Sequence, residues 1–219
     1  MTDAFDHLIP EAQDFCRRLG ANNTRDWYLD HKDEYLTKLK RPAELLLEQV
    51  RPGLEAITGT PASTKLFRIN RDLRFAKGKP PYKDYLHMLW YSPTGGVAPL
   101  GWFFGIETDR LRIGAGYMGL DGDALTAWRE AVAGPTGDQI ARGIADRLAR
   151  GDTTWDPALK RVPAPYPKDH PHGDLLRRKS MVLFHDMAVP DTDLPGAILT
   201  EFCDLWPVFR PIDAALNHH

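Results

Sequence analysis

Trp27, His31, Tyr35 and Leu39 stand four apart behind Asn23 and Thr24, either of which suits a helix cap, so the spacing predicts a helix along this stretch. An earlier helix is expected from Pro10 through Phe15 and Leu19 to a stop at Gly20, and a later one from Pro42 through Leu45, Leu46, Leu47 and Val50. From residue 64 the period falls to two. Residues 64–70 and 84–91 read as strands, and in the second Tyr85, His87, Leu89 and Tyr91 alternate with Leu86, Met88 and Trp90. His87 reads as a core or pocket-wall histidine more readily than as a ligand.

Residues 101–107 and 110–118 read as a hairpin turning at Thr108 and Asp109. With Glu107 opposite Arg110, the residues Trp102, Phe104 and Ile106 share a core face with Leu111, Ile113, Ala115 and Tyr117. The opposite face carries Phe103 and Glu107 beside Arg110 and Arg112, over a floor of Gly105, Gly114 and Gly116. Glycine in a strand interior often marks the close approach of a ligand or of another backbone.

Helical spacing returns over 123–133 and 138–149. A proline-rich loop at 157–171 follows, with Val162 and Tyr166 expected to pack it down. A short helix at 174–179, a strand at 180–185 and a last helix from Pro195, disturbed by Pro207 and Pro211, complete the chain. This order predicts one α+β domain over 1–219: a mostly antiparallel sheet with helices from both chain ends packed on it.

Composition narrows the class. With 42% hydrophobic and 26% charged residues, 18 Gly and 18 Pro, disordered, collagen-like and coiled-coil chains are excluded. The acidic, broken start of the chain offers no apolar run for export or membrane insertion, so a cytoplasmic location and no membrane partner are expected. Cys16 and Cys203 form no C-x-x-C pair and read as buried, unreactive thiols. No phosphate-loop, dinucleotide, serine-elbow or zincin motif occurs, so no cofactor and no metal is expected. His170 and His172 flank Pro171, but that spacing in a proline loop is weak metal evidence, and a hydrogen bond to packed backbone suits His170 better. His218 and His219 carry no weight.

Charge is uneven. The net charge is only −2, yet residues 65–83 hold Lys65, Arg68, Arg71, Arg74, Lys77, Lys79 and Lys83 against the single acid Asp72. That leaves 21 of the 28 basic residues against 29 of the 30 acidic ones elsewhere. Such a concentration favours an anion, and arginine forks combined with mobile lysines suit phosphate or carboxylate. Tyr82 adds a hydroxyl, and Asp72 is placed to pair with an arginine. A solvated charged loop remains the bland alternative. So does a nucleic-acid surface, in which Phe67, Phe75 and Tyr82 would stack on bases.

The run R-I-N-R-D-L-R-F-A-K-G-K-P-P-Y-K at 68–83 resembles the central motif of the domain of unknown function 2461 family, found in bacteria and fungi. Asn22-Asn23-Thr24-Arg25-Asp26-Trp27 is similar to that family's N-N-x-R-E-W-F signature, and Gly114-Ala115-Gly116-Tyr117 to its glycine-rich strand. Trp128-Arg129-Glu130, Asp169-His170-Pro171 and Asp174 through Lys179 resemble further family stretches. The chain departs from the pattern at Ala115, where glycine is usual, and after Tyr117, where a proline is usual. The resemblance implies a shared fold and pocket and names no substrate.

Three readings follow: an enzyme on a phosphorylated or acidic small molecule, a non-catalytic ligand-binding module, and a nucleic-acid or protein surface. A small anionic ligand is favoured over nucleic acid. The expected anion site comprises Arg68, Arg71, Arg74, Lys79, Tyr82, Lys83 and Arg112, with Asp72, Tyr82, Glu107 and His170 as candidate proton carriers.

Overall fold

The computed structural model describes residues 5–72, 74, 78–92 and 98–217. Phe75 and Lys77 of the basic run, and the terminal His218 and His219, lie outside the described residues.

Helix α1 (Leu8–Ala21) buries Leu8, Ala12, Phe15 and Leu19, a stripe at helical spacing. Thr24 caps α2 (Arg25–Asp30), its hydroxyl accepting from the Trp27 N–H at 3.3 Å. The chain then passes through α3 (Lys32–Glu34) and a π-helical stretch (Tyr35–Lys40) into α4 (Arg41–Thr58). Tyr35 and Leu39 are buried, as the four-residue spacing predicts.

Five strands follow as a meander: β1 (Ser63–Leu66), β2 (Leu86–Tyr91), β3 (Gly101–Ile106), β4 (Leu111–Tyr117) and β5 (Met181–Met187), each antiparallel to its neighbour. Between β4 and β5 lie α5 (Gly122–Ala133), α6 (Gly137–Ala149), the proline loop and α7 (Gly173–Leu176). The chain closes with α8 (Leu194–Asn217). The architecture is α+β, one antiparallel sheet with helices before and after it.

Helices cover one face of the sheet. Trp90, Trp102, Phe104 and Ile113 point into that layer, where Phe202 of α8 meets the rings of Trp90 and Trp102 at 5.6 and 5.2 Å. Two buried polar groups there find partners: the Trp90 indole donates to the Leu47 carbonyl at 2.8 Å, and the Tyr117 hydroxyl donates to Asp213 at 2.8 Å. No described helix is long and apolar enough to cross a membrane.

Four expectations need correction. The strand expected over 64–70 ends at Leu66, because the ladder loses its register there. Leu66 faces Met88, whereas Asn70 bridges Tyr82, so the two sides of the hairpin differ in length and the segment between them is irregular. The described basic residues Arg71, Arg74 and Lys79 therefore belong to the tip of this hairpin. The last helix runs unbroken through Pro207 and Pro211. Pro207 lies on the exposed side of α8, as does Cys203, whose carbonyl lacks its usual i+4 donor there and can face water. Cys16 is buried as expected, but Cys203 is exposed. The strand near 180–185 extends to Met187, and Thr153 pairs with its Phe184 through two backbone hydrogen bonds of 2.7 and 2.9 Å.

Candidate functional site: the open face of the sheet

Alternation along β2 to β5 sends a second set of side chains away from the helices, and no helix among the described residues packs on this face. Antiparallel sheets commonly leave one face to water, but that face is usually polar. Here it carries rings. Tyr85 stacks on His87 at 3.9 Å, His87 meets Phe103 edge-on at 4.8 Å, and Phe103 meets Phe184 edge-on at 5.6 Å. Trp155, 42% exposed, continues the row 6.2 Å from Phe184. A cavity of about 350 Å³ lies over this row.

The glycines make room for these rings. A Cβ on Gly105 would come within 2.9 Å of both the His87 and Phe103 rings. One on Gly114 would come 2.2 Å from the Leu183 carbonyl and 2.4 Å from the Phe184 ring. These two glycines thus admit the protein's own rings and strand backbone, and Gly116, with Gly101 across the ladder from it, is the one that lines the cavity.

Charge is confined to one end, where Lys83, Glu107 and Arg112 line the cavity. Burial, followed by repulsion from Arg71, Arg68 and Lys65, pushes the Lys83 pKa below the usual lysine value. Among the described residues Lys83 has no carboxylate partner. Neither has Arg112, whose guanidinium stands 5.1 Å over the Phe184 ring and donates to the Thr153 hydroxyl at 3.5 Å. Glu107 pairs with Arg110 at 2.8 Å across the hairpin end and lies 3.8 Å from His87 Nε2. That nitrogen is buried and makes no hydrogen bond among the described residues. Burial, then Lys83 and Arg112, hold the His87 pKa down at about 4, so its ring is neutral near pH 7.

Among the described basic residues of 65–83, Lys83 is the one that lines this cavity. Arg71 Nε donates to the Pro80 carbonyl at 3.0 Å and closes the hairpin tip. Arg74 pairs with Asp72 at 2.7 Å in the open, and Arg68 and Lys79 are exposed. Of the residues expected to hold an anion, Lys83 and Arg112 line the cavity. Tyr82 is buried, its ring stacked on Tyr28 at 4.3 Å. His170 lies in the proline loop, where its Nδ1 accepts from the His172 N–H at 3.1 Å, and His172 contacts Asp138 at 2.8 Å. No group able to hold a metal occurs among the described residues.

Sequence reasoning did not reach Val182, Phe184, Met118 and Trp155 as cavity residues. Alternation within β5 carries the signal for Val182 and Phe184; Trp155 sits in irregular chain and offers none.

Beyond Arg112 lies a second, polar cleft of about 590 Å³. Arg147, 4% exposed, donates there to Asp152 at 2.8 Å and to Asp204, and His185 contacts Glu201 at 2.9 Å. These groups satisfy one another and tie α6 and α8 to β5.

Residues 11–212 match the model of a family described as conserved hypothetical protein (DUF2461). The chain belongs to this family. No curated protein and no solved structure matches it. Membership in DUF2461 thus spans both the helical start and the sheet that carries the cavity, and brings no named activity with it.

Proposed function

We propose that this protein binds a small organic anion on the open face of its sheet. The rings take up the apolar body, and Lys83 and Arg112 take the carboxylate or phosphate. The observation that carries this reading is the pair of cations without a carboxylate partner among the described residues, at the end of a ring-lined cavity. A desolvated cation gains most from an incoming anion, and a concave apolar site with a few polar groups is the usual form of a small-molecule pocket. Glu107, 3.8 Å from the neutral His87, is the acid–base couple nearest such a ligand, and the reading assigns it no reaction.

Titrating benzoate and phenyl phosphate against the fluorescence of Trp155 tests this reading. Charge-assisted contacts contribute about 1.5 to 3 kcal/mol each, so Lys83→Met and Arg112→Met should each weaken binding tenfold or more. Parental affinity in both variants, or no binding of either anion at millimolar concentration, overturns it. The succession of rings favours a second reading, single-stranded nucleic acid stacked along the row. Tight, steeply salt-dependent binding of oligothymidylate with no response to benzoate would select it.

A further inference from the structure

The ring-lined cavity adjoins another of about 370 Å³, and Leu89, Gly101, Gly116 and Met118 line both. Gly101 and Gly116 are cross-strand partners. A Cβ on Gly116 would strike the Met181 carbonyl at 2.1 Å and one on Gly101 would press on Leu89 at 3.2 Å, so the protein's own atoms lie close at both positions, and the two cavities meet where this pair lines each of them. The combined groove runs along the strands. It extends from the level of His87 and Gly105 to that of Tyr91 and Gly101, four residues further on, or about 13 Å at the strand rise of about 3.3 Å per residue.

The two ends differ in chemistry. Lys83, Glu107 and Arg112 stand at the near end. The far cavity is walled by Tyr91, Ala98, Pro99 and Met118. Its one charged lining residue among those described, Lys65, is exposed and holds its ammonium 4.9 Å from the Phe67 ring. Met118 is 56% exposed at the junction, where an apolar occupant would cover it.

We infer that the ligand is a free single-chain amphiphilic anion, whose head lies at Lys83 and Arg112 and whose apolar chain runs past the shared lining of Leu89, Gly101, Gly116 and Met118 into the far cavity. This rests on the anion-binding reading above and narrows it. A compact anion such as benzoate fills the near cavity alone, whereas an alkyl chain of eight to ten carbons, roughly 10 to 13 Å extended, matches the groove.

The test compares sodium hexanoate with sodium decanoate by isothermal titration at one ionic strength, below the micelle threshold. A fully buried methylene is worth about fourfold in affinity, so four of them, even half covered, make decanoate at least about tenfold tighter. Gly119→Phe provides the control, because Gly119 lines the far cavity and an added Cβ there meets nothing within 4 Å. It should abolish the decanoate advantage and leave hexanoate within twofold of the parent.

Equal affinity for the two acids, or a chain-length advantage that survives Gly119→Phe, overturns the elongated ligand and leaves the small-anion reading standing. No binding of either acid while benzoate binds overturns the elongated ligand alone, and no binding of hexanoate, decanoate, benzoate or phenyl phosphate overturns both. Association with phosphatidylglycerol vesicles without binding of monomeric decanoate overturns the free amphiphile in favour of a bilayer surface.

Discussion

Asn23 holds Tyr82 through both ends of its carboxamide: Nδ2 donates to the Tyr82 carbonyl at 3.1 Å, and Oδ1 accepts from the Tyr82 N–H at 3.0 Å. The side chain thereby acts as one more rung beside the irregular end of the β1–β2 hairpin, and it fastens the start of α2 to the exit of the basic loop. The two most distinctive stretches of the sequence, around Asn22–Trp27 and Arg68–Lys83, are one structural unit.

Asn23→Ala should strip both bonds and leave the Tyr82 peptide half-buried without partners. We expect a loss of about 1 to 3 kcal/mol in a urea melt. Asn23→Asp keeps the acceptor and loses the donor, so its midpoint should fall between those of Asn23→Ala and the parent. Parental stability in both variants would show that the link is not structural.

Tyr82 was expected to offer its hydroxyl to an anion, and its stacking on Tyr28 argues for a packing role instead. Tyr82→Phe should leave benzoate affinity unchanged. Tyr82→Ala should lower stability by about 3 to 5 kcal/mol, the usual cost of truncating a buried aromatic. A tenfold loss of affinity in Tyr82→Phe would restore the hydroxyl to the site.

The cysteines should react differently. Burial, and secondarily Asp84, push the Cys16 thiol up to about 12, whereas Cys203 is exposed on α8. A colorimetric thiol reagent at pH 8 should titrate one group per native chain and two in denaturant. Cys203→Ser should bring the native count to zero.

His87 links stability to pH. Its pKa in the folded chain, about 4, lies below the ordinary value of 6.5, so the unfolded chain binds the extra proton between these limits. Stability from this group is complete above pH 6.5 and falls as the pH drops toward 4. Denaturation midpoints across that window should decline less steeply for His87→Gln than for the parent; parallel profiles would show that His87 does not titrate as its surroundings require.

The hairpin of β3 and β4 was legible in the sequence because alternation, a two-residue turn and the facing Glu107 and Arg110 all agree, and the Glu107 N–H indeed donates to the Arg110 carbonyl at 2.9 Å. The path of α8 was not legible, since proline disfavours a helix interior on local grounds and only the packing of Phe202, Leu205, Phe209 and Ile212 overrides that preference. The candidate site was half legible. Missing side chains on one sheet face pointed to the surface that carries the cavity, yet what fills Gly105 and Gly114 depends on which strands become neighbours. Phe184 is 70 residues from Gly114 in the chain and one strand away in the sheet. The arginines at 68, 71 and 74 suggested one cluster by spacing alone; in the structure Arg71 is tied to the Pro80 carbonyl and Arg74 to Asp72, pairings that spacing does not foretell.

A meander of five strands leaves two rows of unpaired peptide groups at its borders, and a sheet with an uncovered aromatic face invites another copy to extend it. Both borders are blunted here, by different means. On one side β1 is only four residues long and presents the exposed Lys65 near its middle. On the other, Thr153 takes both hydrogen bonds of Phe184, so part of the outer border of β5 is already occupied from within the chain. Short length, a charge and an internal stopper are the devices that keep edge strands from recruiting neighbours. They keep the ring-bearing face of the sheet from becoming a template for fibrous assembly.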